Sequence, residues 1–428
     1  MRTADRRGAL LTGRDVTSDV EERPDVCVVG SGAGGAVVAA RLAAMGLRVV
    51  VLEEGGSFRP SDADMLESTA YPRLYQDHGQ RATADLSIAV LQGRAVGGST
   101  AVNWTTSFRT PERVLALWRA VHGIDTLSRE VLAPHFAAVE ERLRIHEQPD
   151  DGVNANNRTL WDGAGRLGWA RTRTRRNVEG CANLGYCGMG CPIGARTSMD
   201  RTYVPDALAS GARLYANARA VLLEREGRRV AAVRATVLDP ATDQPTGRRI
   251  TVRPRALVLS GGAINTPALL LRSGIDLGGN VGARTFLHPV TAMVGVYRHR
   301  IDAYQGAPQS VASHQFVDRG AGRVGFFLEA APVHPMLAAT SLGGFGAPHA
   351  ELMEKLPHLS ALIALAVDGF LPQEHGGTVS LRGDGRIRID YPIAGEVWEA
   401  LREGARALAR VHLAAGAEAV WSLHEDPL

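Results

Sequence analysis

Two runs of apolar residues, separated by a segment of helical length, stand near the start of the chain. The first run ends at Gly30, an Ala/Val/Leu-rich segment follows, and the second run, LRVVVL, ends at Glu53. Short apolar runs on either side of a helical segment are typical of buried parallel strands joined by a crossover helix. The pattern therefore predicts a βαβ unit over about residues 25–54.

The hydrophobic pattern changes after about residue 297. Segments such as VTAMVGVYR and TVSLRGDGRIRIDYP alternate apolar and polar residues, as antiparallel strands do. ELMEKLPHLSALIALAVDG and EVWEALREGARALARVHLAAGA are interpreted as helical. Between these parts, RRVAAVRATVL and RRITVRPRALVLSGG predict a β-meander that returns to the first sheet.

These patterns predict the fold class and its division into domains. We expect an α/β, Rossmann-like domain with a parallel sheet and a β-meander, followed by an α+β domain with an antiparallel sheet. The predicted ranges are a disordered polar lead-in at 1–24, the Rossmann-like domain at 25–297 and the second domain at 298–428. The Rossmann-like domain includes a cysteine-rich loop region at 150–200.

A glycine-rich motif lies between the first predicted strand and its helix. Gly30, Gly32 and Gly35 form a G-x-G-x-x-G pattern, and Glu53 closes the second strand. Strand, glycine turn, helix and a terminal acid are the context that a dinucleotide fingerprint requires, with phosphates over the helix N-terminus. We predict that Gly30, Ser31, Gly32, Gly35 and Glu53 bind a dinucleotide. The motif alone does not separate FAD from NAD.

A second glycine-rich loop, GRAVGGSTAVNWTTSFRTP, runs from Gly93 to Pro111. Successive small residues leave backbone N–H groups free to form an anion-binding nest. A second phosphate-facing loop suits a flavin dinucleotide, and the alternative is a plain glycine turn. AINTPALLLRSGI follows Gly261 and Gly262 and predicts a further strand-to-helix turn, with Gly261 a candidate cofactor contact.

Composition and charge limit the classes of partner and the location that we expect for this protein. The chain has 48 basic and 45 acidic residues, for a net charge of +3, which predicts no nucleic-acid partner. It has no apolar run long enough to span a membrane and no secretory h-region near its start, so we expect a cytoplasmic protein. The cluster Arg171, Arg173, Arg175 and Arg176 is interpreted as a solvated face or loop, and the alternative is a contact with a phosphate or another subunit.

Several ordered motifs together resemble the glucose–methanol–choline (GMC) oxidoreductase family. They are DVCVVGSGAGGAVVAARLAAMGLRVVVLEEG, GRAVGGSTAVNWTTSFRTP, CPIGARTSMDRTYVPDALASGARL and ALVLSGGAINTPALLLRSGI. The second segment looks most like the branch with long-chain alcohol oxidases and their bacterial relatives. The resemblance implies an FAD flavoprotein that oxidises the CH–OH group of a small-molecule alcohol by hydride transfer to flavin N5.

The resemblance also implies roles for individual residues. Gly30, Gly32 and Gly35 would meet the diphosphate, and Glu53 the adenosine ribose. The remaining predicted FAD contacts are the second-loop residues Gly97, Gly98 and Ser99, Asn103 near the flavin ring, and Val221 near adenine. Some relatives bond the flavin through a histidine near the place of Asn103. Asparagine cannot form that bond, so we expect non-covalent FAD.

The general base is the part of the resemblance that this sequence does not supply. In the family, a C-terminal segment beyond one like HLAAGAEAV holds the histidine and its His or Asn partner, and this sequence stops at Leu428. Loss of a general base costs roughly 10²–10⁴-fold in rate. His375 is retained as a candidate, although its position matches a hairpin of the family's substrate domain better. Two alternatives follow: a truncated, non-catalytic remnant, or one half of a split enzyme completed by a C-terminal second chain.

Three cysteines form a separate candidate site. Cys181, Cys187 and Cys191 are spaced C-x5-C-x3-C in a glycine-rich segment. They are interpreted as reduced thiols, as ligands of an iron–sulfur cluster or as partners in a disulfide. A cluster would make the protein an iron–sulfur-assisted dehydrogenase that passes electrons to a protein acceptor. Relatives with such a cluster have two adjacent cysteines, whereas Ala182 follows Cys181 here.

Overall fold

The computed structural model describes residues 8–371 and 375–422. They form two compact units, each built from separate stretches of the chain. The first unit takes the described residues up to Asn103, Gly188–Thr285 and Gly376–Pro392, and the second unit takes the described residues of the remaining stretches. The sequence instead predicts one boundary near residue 297. A boundary read from composition assumes one passage of the chain through each domain, and this chain passes between the units several times.

The strands of the described residues are short at the edges of the sheets and longer in the meander and the antiparallel sheet. In chain order they are β1 Ala9–Leu11, β2 Val20–Glu22, β3 Val26–Val29, β4 Val49–Leu52, β5 Thr106–Ser107, β6 Ile145–Glu147, β7 Thr172–Arg173, β8 Arg175–Asn177, β9 Arg213–Tyr215, β10 Ala218–Glu226, β11 Arg229–Leu238, β12 Pro245–Val252, β13 Ala256–Leu259, β14 Val290–Val296, β15 Val311–Ser313, β16 Phe326–Ala330, β17 Leu359–Ala366, β18 Thr378–Leu381, β19 Ile387–Asp390 and β20 Ala419–Ser422.

The α-helices of the described residues vary more in length. They are α1 Ala33–Ala44, α2 Glu67–Leu74, α3 Glu112–His122, α4 Arg129–Arg142, α5 Ala155–Arg166, α6 Tyr203–Ala209, α7 Gly262–Arg272, α8 Pro335–Ser341, α9 Ala347–Glu354 and α10 Gly395–Ala414.

The first unit is built on a parallel sheet with the strand order β1-β9-β4-β3-β13. Helix α1 connects β3 to β4, as predicted, and every residue of both strands is buried. The strands β10, β11 and β12 form the predicted antiparallel meander. Apolar residues of both sheets, including Cys27, Leu52 and Val233, share one core. The predicted Rossmann-like architecture is confirmed.

The predicted disordered lead-in is structured over its described part. β1 pairs in parallel with β9 at the edge of the first sheet, and β2 pairs in parallel with β12 of the meander. Both sheets leave backbone groups unpaired at these edges, and a three-residue segment suffices to satisfy them. A segment of three residues within a polar stretch is too short to show a hydrophobic pattern that predicts a strand. Residues 1–7 of that prediction lie outside the described residues.

The second unit contains the predicted antiparallel sheet, with the strand order β20-β14-β17-β16-β15-β7. Helices α5 and α10 cover one face, where Phe326, Leu328 and Leu408 belong to one buried cluster. Helix α10 buries residues at a spacing of three and four, the stripe of an amphipathic helix. A Cβ on its Gly404 would lie 2.7 Å from the Cβ of Ala364, so glycine lets this helix pack closely on the sheet.

One predicted helix is a strand instead. In ELMEKLPHLSALIALAVDG, α9 ends at Glu354 and Leu359–Ala366 forms β17. This strand lies between β14 and β16 and is buried on both faces, so both sets of its side chains are apolar. A continuous apolar run of this length has no period that separates helix from strand.

His412 gives the second unit a measurable dependence on pH. Its side chain is fully buried, with Nδ1 3.1 Å from the Tyr297 hydroxyl and Nε2 3.1 Å from the Met293 carbonyl oxygen. Burial lowers the pKa of His412 from 6.5 to about 4. The unfolded chain therefore takes up a proton at a higher pH than the folded chain. Folding loses about 1.4 kcal/mol per pH unit from this histidine as the pH falls through that window.

We expect His412→Met to remove this contribution. As the pH falls from 6.5 to about 4, the wild type should lose unfolding free energy relative to the variant. The reason is that only the wild type has a histidine at residue 412, which takes up a proton in the unfolded chain but not in the folded chain. Urea unfolding at several pH values measures it, and all groups common to both proteins cancel. A difference that stays constant over this window would contradict the assignment.

Candidate functional site

The first glycine loop has the geometry that its motif predicts. Gly30 follows β3 with φ +97°, and a Cβ there would lie 2.4 Å from the Ser260 carbonyl oxygen. Gly32 precedes α1, so the free N–H groups of the first helical turn lie next to it. A Cβ on Gly35 would lie 2.0 Å from the Gly30 carbonyl oxygen. Glycine at residues 30 and 35 thus allows the turn and the close packing of helix on strand.

Glu53 connects the two predicted cofactor loops. Its Oε2 accepts hydrogen bonds from the Ser31 backbone N–H at 2.9 Å and the Ser31 hydroxyl at 2.7 Å. Its Oε1 accepts one from the Gly55 N–H at 2.8 Å, and the Gly97 N–H donates to Ser31 Oγ at 3.0 Å. Burial raises the pKa of the Glu53 carboxyl, and these hydrogen bonds oppose that shift. The chain Glu53–Ser31–Gly97 therefore holds one loop against the other.

The second loop touches the first through glycine. Gly97 and Gly98 have φ of +94° and +55°, the left-handed region. A Cβ on Gly98 would lie 2.7 Å from the Cα of Gly32, and one on Gly97 would lie 2.9 Å from the Asp200 backbone nitrogen. Larger residues would separate the loops.

A large cavity in the first unit opens beside this contact. Its volume is about 800 Å³, within the range of small-molecule and cofactor sites. Of the predicted cofactor residues, those that line it are Gly30, Gly32, Glu53, Gly98, Ser99, Val221 and Gly261. Ser31, Gly35 and Gly97 are buried behind that surface, and Asn103 is exposed and outside the lining. The structure thus brings together residues that lie up to 231 positions apart, from Gly30 to Gly261.

Five arginines that sequence reasoning missed also line this cavity: Arg81, Arg94, Arg219, Arg272 and Arg386. Arg94 binds both carboxylate oxygens of Asp243, at 2.8 and 3.0 Å. Arg272 donates to the Gly385 carbonyl and forms no ion pair among the described residues. Burial lowers the pKa of Arg272, the charge of Glu54 opposes that shift, and the charges of Arg219 and Arg81 add to it. A cation of this kind favours an anionic ligand. The five arginines lie scattered along the chain, which explains why no local pattern revealed them.

The three clustered cysteines are not arranged as metal ligands in the part of the chain that the structure describes. Cys181 Sγ lies 3.7 Å from Asn183 Oδ1, and Cys187 Sγ lies 3.7 Å from Arg176 Nη2. Cys191 Sγ accepts a hydrogen bond from the Ala195 N–H at 3.3 Å. None of the three forms a disulfide in the described structure, and across residues 8–371 and 375–422 no group of three His, Cys, Asp or Glu side chains is placed to hold a metal ion. The iron–sulfur interpretation is not supported.

The catalytic base stays unassigned in this structure. His375, the candidate from the sequence, is exposed and belongs to the second unit. Its three preceding residues lie outside the described residues. Within residues 8–371 and 375–422, no hydrogen bond joins His375 to a histidine or an asparagine.

The Glu53–Ser31–Gly97 chain leads to a prediction. We expect Ser31→Ala to destabilise the protein by about 1–3 kcal/mol, because the buried Gly97 N–H loses its acceptor. Thermal unfolding of the variant, compared with Ser87→Ala, measures this cost. Ser87 is the control because its hydroxyl bonds lie in an exposed local turn. Equal unfolding temperatures for the two variants would contradict the structural role of Ser31.

The parallel sheet, the glycine turn before α1 and the adjoining cavity are the features of a dinucleotide-binding α/β fold. A family model described as GMC oxidoreductase matches residues 71–290, more than half of the chain. An uncharacterised GMC-type oxidoreductase of Mycobacterium tuberculosis is 34% identical over 401 residues, which cover 92% of this chain. The chain belongs to the GMC oxidoreductase family.

Other relatives agree with this assignment. A long-chain-alcohol oxidase of Arabidopsis thaliana is 31% identical over 424 residues, covering 94% of this chain. The crystal structure of pyridoxine 4-oxidase from Mesorbium loti has a TM-score of 0.69 at 20% identity, covering 94% of this chain and 84% of that one. The chain spans 60% of the length of the Mycobacterium relative and 54% of the Arabidopsis relative.

The structure also bears on membrane association. Among the described residues, no helix combines the length and apolar character that a membrane crossing requires. The cytoplasmic location stays a prediction.

Proposed function

We propose that this chain binds FAD non-covalently and serves the oxidation of the CH–OH group of an alcohol. The observation that carries the proposal is the cavity in which the Gly32 and Gly98 loops meet. A Cβ on Gly32 would meet only the Gly98 Cα, at 3.7 Å, so its face toward the cavity is open to a ligand. Among the dinucleotides we propose FAD, because the chain belongs to the GMC oxidoreductase family.

The lining residues fit such a cofactor. Gly32, at the N-cap of α1, would present its backbone N–H group to the diphosphate, Gly30 would form the turn that lets the diphosphate approach, and Arg272 would add positive charge. Glu53 Oε1 accepts one protein hydrogen bond, from Gly55, and so has capacity for a ribose hydroxyl. Ser99 would contribute through the second loop, and Val221 through its backbone near adenine. Asn103 lies outside this lining. The resemblance implies a residue near the flavin ring at this position, and an asparagine there supports a non-covalent association.

Bound at the cavity that Gly32, Gly98 and Glu53 line, a flavin would supply the redox chemistry as the hydride acceptor. The protein's tasks are to hold cofactor and alcohol, to exclude water and to take the hydroxyl proton. Long-chain-alcohol oxidases among the relatives support an alcohol as the substrate. The proton acceptor is not assigned to a described residue of this chain.

The visible absorption spectrum of the purified chain, followed by anaerobic addition of 1-octanol, 1-dodecanol, benzyl alcohol or pyridoxine, tests this function. Flavin bands that bleach with an alcohol would support it. Release of the flavin by acid precipitation would establish that it is not covalently bound. Readmission of oxygen then separates an oxidase, which recovers its bands, from a dehydrogenase that needs a protein acceptor.

Two other outcomes speak for the alternatives. Flavin bands that bleach only after addition of a second polypeptide, made from the remaining length of a relative, would identify one half of a split enzyme. Flavin bands that bleach with none of these alcohols, even with the second polypeptide present, would favour a non-catalytic remnant or a substrate outside this panel. Absence of flavin would overturn the proposed function.

A further inference from the structure

A second, smaller cavity lies within the first unit. Its volume is about 50 Å³, and its lining residues come from the segments 58–74, 95–101 and 189–201. One buried water molecule needs roughly 10–15 Å³ of such volume. This small cavity therefore has room for about four waters, or for an organic molecule of about six non-hydrogen atoms.

The second glycine-rich loop lies between the small cavity and the cofactor cavity. On one side of the loop, Gly98 and Ser99 line the cofactor cavity. On the other side, Val96 and Ala101 line the small cavity. The described residues that line the two cavities form different sets. A ligand in the small cavity would therefore contact the back of this loop and leave the cofactor cavity open.

The interior of the small cavity is apolar. Its buried apolar lining residues, all less than 9% exposed, are Ala70, Leu74, Ala95, Val96, Ala101 and Met189. An alkyl chain that enters this interior loses its contact with water, and each buried methylene group strengthens binding about fourfold. The interior is therefore suited to the apolar part of a ligand.

Charged side chains complete the lining of the small cavity. Four arginines and three aspartates give an excess of one positive charge: Arg59, Arg73, Arg196 and Arg201, with Asp62, Asp64 and Asp200. Each aspartate already accepts a hydrogen bond from the protein. The donors are the Arg59 N–H for Asp62, the Leu66 N–H for Asp64 and the Ser198 hydroxyl for Asp200.

Two of the four arginines keep their charge available for a ligand. Arg73 and Arg201 form no ion pair among the described residues, whereas Arg59 pairs with Asp62. The Arg73 guanidinium lies 4.9 Å from the centroid of the Phe58 ring, and both arginines are exposed at the opening of the cavity. The planar fork of a guanidinium matches the two oxygens of a carboxylate.

We propose that the small cavity binds a short-chain carboxylate, with its alkyl chain in the apolar interior and its carboxylate on Arg73 and Arg201. An excess of one positive charge fits a monoanion, and an inorganic anion would leave the apolar interior unfilled. The volume limits the ligand to about four carbons. This site goes beyond the proposed function and does not depend on it, because its lining residues are not those of the cofactor cavity.

Calorimetry of the full chain with acetate, butyrate and octanoate tests the site. We expect butyrate to bind about tenfold more tightly than acetate, because two more methylene groups are buried. Octanoate should bind more weakly than butyrate, because its chain exceeds the space behind the two arginines. Affinity that rises through octanoate would place the chain on an open surface and overturn the inference. Absence of butyrate binding would overturn it too.

Butyramide tests the contribution of charge. It has nearly the shape of butyrate but no charge, so we expect it to bind at least about tenfold more weakly. Equal affinity for butyramide and butyrate would mean that the arginines do not hold the ligand, and the inference would be wrong.

Arginine substitutions locate the carboxylate. Arg73→Met and Arg201→Met should each weaken butyrate binding about tenfold, because a charge-assisted hydrogen bond is lost. Two controls remove the same charge elsewhere: Arg228→Met in an exposed turn and Arg272→Met in the cofactor cavity. Both controls should bind butyrate within about twofold of wild type, and circular dichroism checks that all four variants fold.

The controls also define the contrary results. Weaker binding by Arg272→Met, with unchanged binding by Arg73→Met and Arg201→Met, would place the carboxylate in the cofactor cavity and overturn the inference. An equal loss in Arg228→Met would reduce the effect to net charge and overturn it as well. The chain-length series uses the wild type alone, so it decides the question even if a variant fails to fold.

Discussion

Gly32→Val is expected to abolish flavin binding while the chain stays folded. Gly32 has ordinary negative φ, and a Cβ there would meet only the Gly98 Cα, at 3.7 Å. The protein therefore tolerates a side chain, but that side chain projects into the cavity where the diphosphate is proposed to lie. Loss of close backbone approach to the phosphates should lower flavin occupancy at least about tenfold. The absorbance ratio of flavin to protein, with circular dichroism of the same sample, measures both effects.

Two further glycine substitutions distinguish the loss of space for the cofactor from the loss of packing within the fold. Gly35→Ala should destabilise the fold itself, because its Cβ would lie 2.0 Å from the Gly30 carbonyl oxygen. Gly383→Ala should change neither property, because no atom lies within 4 Å of its added Cβ. If Gly32→Val retained full flavin, the diphosphate would have to lie elsewhere and the proposed cofactor site would be wrong.

The parts of the fold that were predictable are those where neighbours in sequence are also neighbours in space. The βαβ unit from β3 to β4 is one continuous stretch, so its apolar runs and glycines carry the whole signal. The strand β17 was missed because its apolar run has no period. β1 and β2 were missed because each is three residues long and is held by a sheet edge made elsewhere in the chain.

The candidate site follows the same rule. Gly30 and Glu53 were identified because they belong to one local motif, whereas Arg272 enters the cavity from α7, 219 residues after Glu53. The bond from Gly97 to Ser31 also depends on how two distant loops meet. The burial of Glu329 on β16, which is 3% exposed, could not be predicted from the sequence. A lone glutamate in a strand normally indicates a solvent-facing position.

In the basic cluster of Arg171, Arg173, Arg175 and Arg176, side chains are buried and exposed in alternation, which the sequence analysis did not predict. Thr174 and Arg176 are 0% exposed, whereas the side chains of Arg173 and Arg175 are 34% and 40% exposed. This is the alternation of a strand with one buried face. The cluster was interpreted as solvated because arginine is seldom fully buried, and for Arg176 that interpretation is wrong.

Arg176→Met is expected to destabilise the second unit by about 3 kcal/mol or more, because it leaves buried acceptors without a donor. Arg176 Nε donates to the Thr105 hydroxyl at 2.7 Å and Nη1 donates to Gln148 Oε1 at 2.9 Å. Both acceptors are buried, so water cannot replace the lost donors without opening the structure. Arg176→Lys keeps the charge but replaces a planar fork by one compact ammonium group, and should also destabilise.

Urea unfolding followed by tryptophan fluorescence measures this loss. Arg173→Met is the matched control, since Arg173 forms a partly exposed ion pair with Glu147 and should cost less than about 1 kcal/mol. Substitutions of equal cost at residues 173 and 176 would mean that the hydrogen bonds of the buried guanidinium add nothing to stability. A much larger cost at residue 176 would establish that the cation is held for its bonds to Thr105 and Gln148. No carboxylate pairs with Arg176 among the described residues. The buried guanidinium is therefore stabilised by its hydrogen bonds to these neutral acceptors.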